Sequence, residues 1–189
     1  MSILPRTHAE VEQLLTRKDI SLRERTFWRM AYETAARSAE LLALNVEDLD
    51  LPNRRAKVRR KGGALDWIIW QTGTARLLPR LLKGRKSGPV FVTERKARVQ
   101  LPAADLDEDG HARLSYQQAS ALFSEASGGA TLHQLRHSAL THDAEEGTGT
   151  PMLMARSGHT SARSLAKYAR VSAEALTRHK AERDPARRR

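Results

Sequence analysis

The run His133-Gln134-Leu135-Arg136-His137 is the densest chemical signal in the chain. His133 and Arg136 are three residues apart, so on a helix the imidazole and the guanidinium share a face. Both can then address one phosphate, with a helix N-terminus behind them as a further source of positive potential. Ser157-Gly158-His159 follows, and Lys167-Tyr168 comes nine residues after that histidine. Upstream, Ala36-Arg37-Ser38-Ala39-Glu40-Leu41-Leu42 puts an arginine at a helix start with a glutamate three residues on. Lys61 opens the run Lys61-Gly62-Gly63-Ala64. Arginines that can grip two oxygens at once suit a phosphodiester under attack, where negative charge gathers on the non-bridging oxygens.

The elements that must hold these residues are legible from caps and periodicity. Thr7-His8-Ala9-Glu10 and Ser21-Leu22-Arg23-Glu24 read as capping boxes and predict helices over about 8–17 and 22–36. A short helix over about 38–44 carries Leu41, Leu42 and Leu44 inward. The period then changes. Ala56 to Arg60 and Leu65 to Trp70 read as strands, with Lys61-Gly62-Gly63-Ala64 as the turn between them. A helix over about 73–83 and a short extended stretch, Val90 to Val92, come next, and 102–114 reads as a surface loop. Further helices are expected over about 115–127, from a cap at Thr131 to about 146, from Thr150-Pro151 to Gly158, over about 161–169 with Tyr168, and over about 172–182. The fold class is therefore mainly α with one small antiparallel β-sheet, an α+β arrangement. No internal repeat or long linker divides the chain.

Composition narrows the partners. The 189 residues include 33 lysines and arginines against 22 acidic residues, a formal charge of +11. Such an excess favours a polyanion, with nucleic acid the first candidate, which the resemblance described below narrows to double-stranded DNA. An anionic membrane fits less well, because no long apolar run or strongly apolar amphipathic anchor is present. The absence of cysteine excludes disulfides, thiolate nucleophiles and cysteine-based metal sites. Asp105-Leu106-Asp107-Glu108-Asp109-Gly110 imitates the start of a calcium loop, but Tyr116 stands where the closing glutamate belongs. His133 and His137 lack the glutamate of the H-E-x-x-H zinc motif. With no signal-peptide core at the N-terminus, a cytoplasmic protein is expected; the family resemblance described below implies a bacterial, nucleoid-associated one.

Five blocks in this order resemble the tyrosine recombinase (phage integrase) family: an arginine in an R-x-x-E-L context, a lysine on a β-hairpin, H-x-L-R-H, a G-H, and a tyrosine nine residues later. The resemblance covers about residues 7–175, nearly the whole chain. It implies that Arg37, Lys61, His133, Arg136, His159 and Tyr168 are catalytic, with Glu40 a supporting acid; His137 is read as supporting the helix or binding phosphate. It also implies the tyrosine recombinase catalytic-domain fold over residues 1–182, ahead of a basic tail at 183–189. Only 36 residues precede Arg37, so the helical core-binding domain that most members carry is expected to be absent.

The chemistry agrees with that resemblance. Arg37 and Arg136 would clamp the phosphate, with His159 as a third donor. A phenol titrates near ~10, so only about one part in a thousand is phenolate at pH 7. Tyr168 then needs a proton acceptor, for which His133 is the candidate, and Lys61 would protonate the departing 5′-oxygen. The 3′-phosphotyrosine formed would store the bond energy, so resealing would need no cofactor, metal or ATP. Self-association into a tetramer on paired sites is expected. Some residues depart from the family pattern: Ala35-Ala36 replaces a glycine-bearing pair, Ser157 stands where an apolar residue is common, and Ala64 where a basic residue often follows the glycines. Lys57, Arg59 and Arg60 also compete with Lys61 for the acid role. Two other functions stay open at this level: relaxation of DNA as a type IB topoisomerase, and an accessory DNA-binding role without catalysis.

Overall fold

A computed structural model of the chain describes residues 5–60, 62–165 and 173–182. Lys61, Tyr168 and the segment 183–189 lie outside the described residues.

The fold is built around α2 (Leu22–Thr34). Its Phe27, Trp28, Met30 and Ala31 are buried, and the rings of Phe27 and Trp28 meet Phe91 and Phe123 edge to face. The preceding α1 (His8–Thr16) starts at the expected capping box: the Thr7 hydroxyl accepts from the Glu10 amide, and the Glu10 carboxylate accepts from the Thr7 amide. Ser21 starts α2 where expected, but without a side-chain cap bond, because Glu24 turns to the guanidinium of Arg23. An ion pair between neighbours has displaced the reciprocal box there.

After α3 (Ser38–Leu42), with Leu41, Leu42 and Leu44 buried as the periodicity requires, the chain forms a three-stranded antiparallel sheet. Its strands are β1 (Leu49–Asp50), β2 (Arg55–Arg59) and β3 (Leu65–Ile69), in that order. Lys57 pairs with Trp67 in the β2–β3 register. The two expected strands form a hairpin, and the dipeptide β1 was too short to be read from sequence. Gly62 and Gly63 have φ of 97° and 90°, a conformation that a side chain resists.

The helix α4 (Thr72–Leu82) is started by a tertiary contact. Oε2 of buried Glu33 on α2 accepts from the amides of Gln71 (2.9 Å) and Thr74 (3.1 Å). A carboxylate at a helix N-terminus stabilises it. Gly73 is required there, since a Cβ would lie 2.4 Å from Oε1 of Glu33.

The segment 102–114 differs from the expected loop. Residues Val92–Lys96 form β4 and His111–Arg113 form β5, a second antiparallel pair. The acidic run turns this hairpin: Oδ1 of Asp107 accepts from the amides of Asp109 and His111, and Asp105 pairs with Arg113. Carboxylates in local turn bonds produced the calcium-loop resemblance. The strand sits later than the expected Val90 to Val92: the Val90 amide donates to the Leu44 carbonyl, and pairing with β5 begins at Val92.

The remaining described helices are α5 (Tyr116–Ala126), α6 (Leu132–Glu145), α7 (Thr150–Ser157), α8 (Ala162–Leu165) and α9 (Ala173–Glu182). Thr131 caps α6 through a reciprocal box with Gln134. For α7 the cap is Gly149, one residue earlier than expected, which puts Pro151 second in the helix. Gly158 ends α7 in the left-handed conformation. No described helix is long and apolar enough to cross a membrane.

Candidate active site

Three arginines fasten the ends of α2, α3, α6 and α7 to one another. Ala35 terminates α2 at a φ of 50°, which leaves the last carbonyls of that helix without helical partners. Arg156 on α7 donates to the carbonyls of Tyr32 (3.1 Å) and Glu33 (2.6 Å), and its other nitrogen pairs with Asp143 at 2.7 Å. Arg136 on α6 donates to the carbonyl of Ala35 and, at 2.7 Å, to that of Ser157. The turn leading into Arg37 and the turn leading into His159 are thereby held by one buried guanidinium. Burial raises the pKa of Asp143 above the usual carboxylate range, and Arg156 opposes that rise.

Arg37 is the N-cap of α3. Glu40, three residues on, accepts its backbone amide on Oε2 (2.9 Å) and its Nη1 on Oε1 (2.8 Å). The Glu40 side chain is only 5% exposed, whereas that of Arg37 is 35% exposed. The carboxylate is thus part of the scaffold, and the guanidinium it orients still reaches the surface. Oε2 of Glu40 also accepts from Nη1 of Arg60 at 2.9 Å.

His133 lies on the first turn of α6 and is exposed, while Arg136 is only 6% exposed. The two keep the three-residue spacing but not a common environment, because the Arg136 side chain turns inward to the two carbonyls. His137 is half-buried with Nδ1 3.3 Å from Oγ1 of Thr141. His159 follows the Gly158 cap and places Nδ1 2.7 Å from Oγ of Ser157. Of the six residues expected to be catalytic, Arg136 bonds the carbonyls two residues before Arg37 and two residues before His159, and His133 is exposed on the same helix as Arg136. Lys61 and Tyr168 lie outside the described residues. Among the cations weighed against Lys61, Lys57 and Arg59 are exposed, and Arg60 is buried.

Sequence reasoning weighed Arg60 only as a rival to Lys61 for the acid role, noted Ser157 only as a departure from the family pattern, and missed Arg156. Arg60 did leave a signal, because Ala56, Val58 and Arg60 share one parity and the first two are buried. An arginine continuing a buried strand face implies a buried partner. Arg156 left no such pattern, since its partners Tyr32, Glu33 and Asp143 lie on distant segments.

Of the two described tyrosines, Tyr32 is poorly suited to attack. Tyr32 sets its hydroxyl 2.7 Å from Nδ1 of His142, and burial, reinforced by nearby carboxylates, raises its phenol above the ordinary range. Tyr116 begins α5, on the segment that follows the β4–β5 hairpin. Among the described residues, no group of three or more histidines or carboxylates is placed to hold a metal ion.

The model of the phage integrase family matches residues 6–175. A tyrosine recombinase XerC of Chlamydia pneumoniae is 29% identical over 183 residues, which are 89% of this chain and 54% of that protein. A tyrosine recombinase XerD of Mycobacterium leprae is 28% identical over 162 residues, 82% of this chain and 50% of its own length. The chain therefore spans about half the length of the curated relatives it matches. The crystal structure of XerA recombinase superposes with a TM-score of 0.76 at 18% identity, covering 96% of this chain and 64% of that one. The Tn1549 transposon integrase in complex with circular intermediate DNA gives a TM-score of 0.69 at 19% identity, covering 96% and 67%. At these identities the likeness establishes the fold: mostly helical with small antiparallel sheets, as in the catalytic domains of tyrosine recombinases.

Proposed function

Because this chain belongs to the phage integrase family, we propose that it is a site-specific recombinase or integrase that cleaves and rejoins double-stranded DNA through a 3′-phosphotyrosyl intermediate. The observation that carries this reading is the pair of hydrogen bonds that Arg136 donates to the carbonyls of Ala35 and Ser157. It ties the backbone at Ala35 and at Ser157, each two residues before an expected phosphate donor, to the N-terminal part of α6. A phosphate seated there meets donors from three segments, the arrangement that stabilises charge in phosphoryl transfer.

In this reading Tyr168 Oη attacks the phosphorus and the bond to the 5′-oxygen breaks. The phenolic proton passes to His133, which is exposed at the start of α6. Arg37, Arg136 and His159 face the non-bridging oxygens, and Lys61 supplies the proton that the leaving 5′-oxygen takes up. Reversal with another 5′-hydroxyl reseals the strand, so no external energy source is needed. Glu40 and His137 support the two arginines and the helix. Residues 1–182 form the catalytic unit, the basic segment 183–189 adds phosphate contacts, and copies of the chain associate as a tetramer on paired sites.

The test is a nicked suicide duplex carrying the recombination site of the element that encodes the chain. Covalent protein–DNA adduct, with a free 5′-hydroxyl on the released strand, is expected. Tight binding to that site without adduct would overturn the catalytic reading.

A further inference from the structure

The outer face of the β2–β3 hairpin is divided into two rows. Alternation puts Arg55, Lys57 and Arg59 on the side of β2 away from the buried Ala56 and Val58. On β3 the same side carries Leu65, Trp67 and Ile69, which are 67%, 39% and 66% exposed. The register sets Arg59 opposite Leu65, Lys57 opposite Trp67 and Arg55 opposite Ile69, so three cations run beside three apolar side chains. Single exposed hydrophobics are ordinary on a surface, whereas a contiguous apolar row rimmed by charge marks an interaction site. Arg55 has a carboxylate partner, Asp50 at 2.8 Å. Among the described residues no carboxylate pairs with Lys57 or Arg59, and Arg59 donates to the Gly63 carbonyl at 3.2 Å. Both Arg55 and Lys57 engage the Trp67 ring, with Cζ and Nζ 4.4 and 5.4 Å from its centroid.

We propose that this face is a docking site for an acidic amphipathic helix of a partner protein, whose carboxylates meet Lys57 and Arg59 and whose aliphatic side chains cover Leu65, Trp67 and Ile69. The repeat distances agree. Alternate residues of a strand recur every ~6.6 Å, and helix positions i and i+4 recur every ~6 Å. Paired strands lie ~4.8 Å apart and a helix is ~10 Å across, so one helix of about three turns laid along the hairpin spans both rows. Carboxylates at i, i+4 and i+8 then follow β2, and the adjoining apolar stripe follows β3. Nucleic acid suits the face less well. Phosphates answer Lys57 and Arg59 but leave Leu65 and Ile69 without apolar cover, and a Trp67 ring engaged by two cations is no free platform for a stacking base. A second copy is disfavoured by charge, since each chain carries +11.

The test uses the whole chain and the fluorescence of Trp67, because Trp28 and Trp70 are buried. The probe is a helical peptide of about four turns with glutamates at i, i+4 and i+8 and leucines on the adjoining stripe. Its counterpart has lysines in place of the glutamates. The glutamate peptide is expected to shield Trp67 from acrylamide and to shift the amide resonances of β2 and β3, with the lysine peptide at least about 10-fold weaker. Leu65→Ser combined with Ile69→Ser should weaken the glutamate peptide by about 10-fold or more while leaving duplex affinity within about 2-fold. Lys57→Glu should weaken the glutamate peptide and strengthen the lysine one, a reversal that misfolding cannot produce. Equal binding of the two peptides, no shielding by either, or glutamate-peptide binding that survives the double serine variant would overturn the proposal. Shielding of Trp67 by duplex DNA, with duplex affinity lost in the double serine variant, would overturn it in favour of nucleic acid. Shielding that grows with the concentration of the chain alone would overturn it in favour of a second copy.

Discussion

Oγ of Ser157 stands 2.7 Å from Nδ1 of His159 and 2.6 Å from the Leu153 carbonyl. With its proton directed to that carbonyl, the hydroxyl accepts from Nδ1–H and fixes the ring by the edge away from Nε2. A side chain wholly buried in α7 therefore sets the orientation of a proposed phosphate donor.

Ser157→Ala should consequently slow adduct formation by roughly 10-fold while leaving duplex affinity within about 2-fold. Ser157→Thr, which retains the hydroxyl, should recover part of the rate. Single-turnover cleavage and binding isotherms check this, and an unchanged cleavage rate in Ser157→Ala would count against it.

Tyr168→Phe should abolish adduct without loss of DNA binding, and Tyr32→Phe should leave adduct intact. Removing the Tyr32 hydroxyl strips His142 of a buried bond and should cost about 1–3 kcal/mol of stability. Denaturant unfolding and a gel-based adduct assay separate the two effects. Adduct that persists in Tyr168→Phe would move the nucleophile elsewhere.

Glu40 binds two arginines from a position almost closed to solvent. Glu40→Ala leaves Arg60 buried without its main counter-charge and should destabilise the fold by about 3–5 kcal/mol. Glu40→Gln should be milder, because an amide oxygen can still accept from one of them. Equal, small losses in both variants would mean that the carboxylate charge contributes little.

His142 gives the fold a pH dependence. Burial, with His8 stacked against it, lowers its pKa from 6.5 to about 4, against the raising effect of its bond to the Arg6 carbonyl. Above about pH 6.5 the ring is neutral in folded and unfolded chains alike. Between about 6.5 and 4 only the unfolded chain takes up the proton, so stability falls as pH falls, by at most about 1.4 kcal/mol per unit. Asp143, whose pKa is raised, acts in the opposite sense, so the comparison must be with His142→Gln. That variant should lose the decline in denaturant midpoint between pH 6.5 and 4, and parallel curves for the two proteins would contradict the assignment.

Binding to duplex DNA should depend steeply on salt. With the +11 charge supplying roughly 5 to 8 phosphate contacts, log K should fall with log salt at a slope near about −5 to −7. Removing 183–189 should flatten that slope. Isotherms at several salt concentrations with specific and random duplexes measure both, and nanomolar binding insensitive to salt would be incompatible with a surface that works through phosphates.

The sequence by itself determined what depends on neighbours three or four residues away. The box at Thr7 with Glu10 and the one at Thr131 with Gln134 start helices wherever the chain goes, so α1 and α6 were legible. So were the alternating hairpin, the inward leucines of α3 and the order of the five motif blocks. The same local reading failed at Ser21, where adjacent Arg23 took the glutamate, and missed β5, a strand of only 3 residues. The contacts that assemble the site were decided only by the tertiary structure. Arg136 reaches Ala35 across 101 positions, and Arg60 reaches the Arg156 carbonyl across 96. Residue type and spacing tell that an arginine is available to bond. Which carbonyl or carboxylate it meets follows from burial, because a guanidinium excluded from water must find its acceptors among whatever chain ends the packing brings beside it.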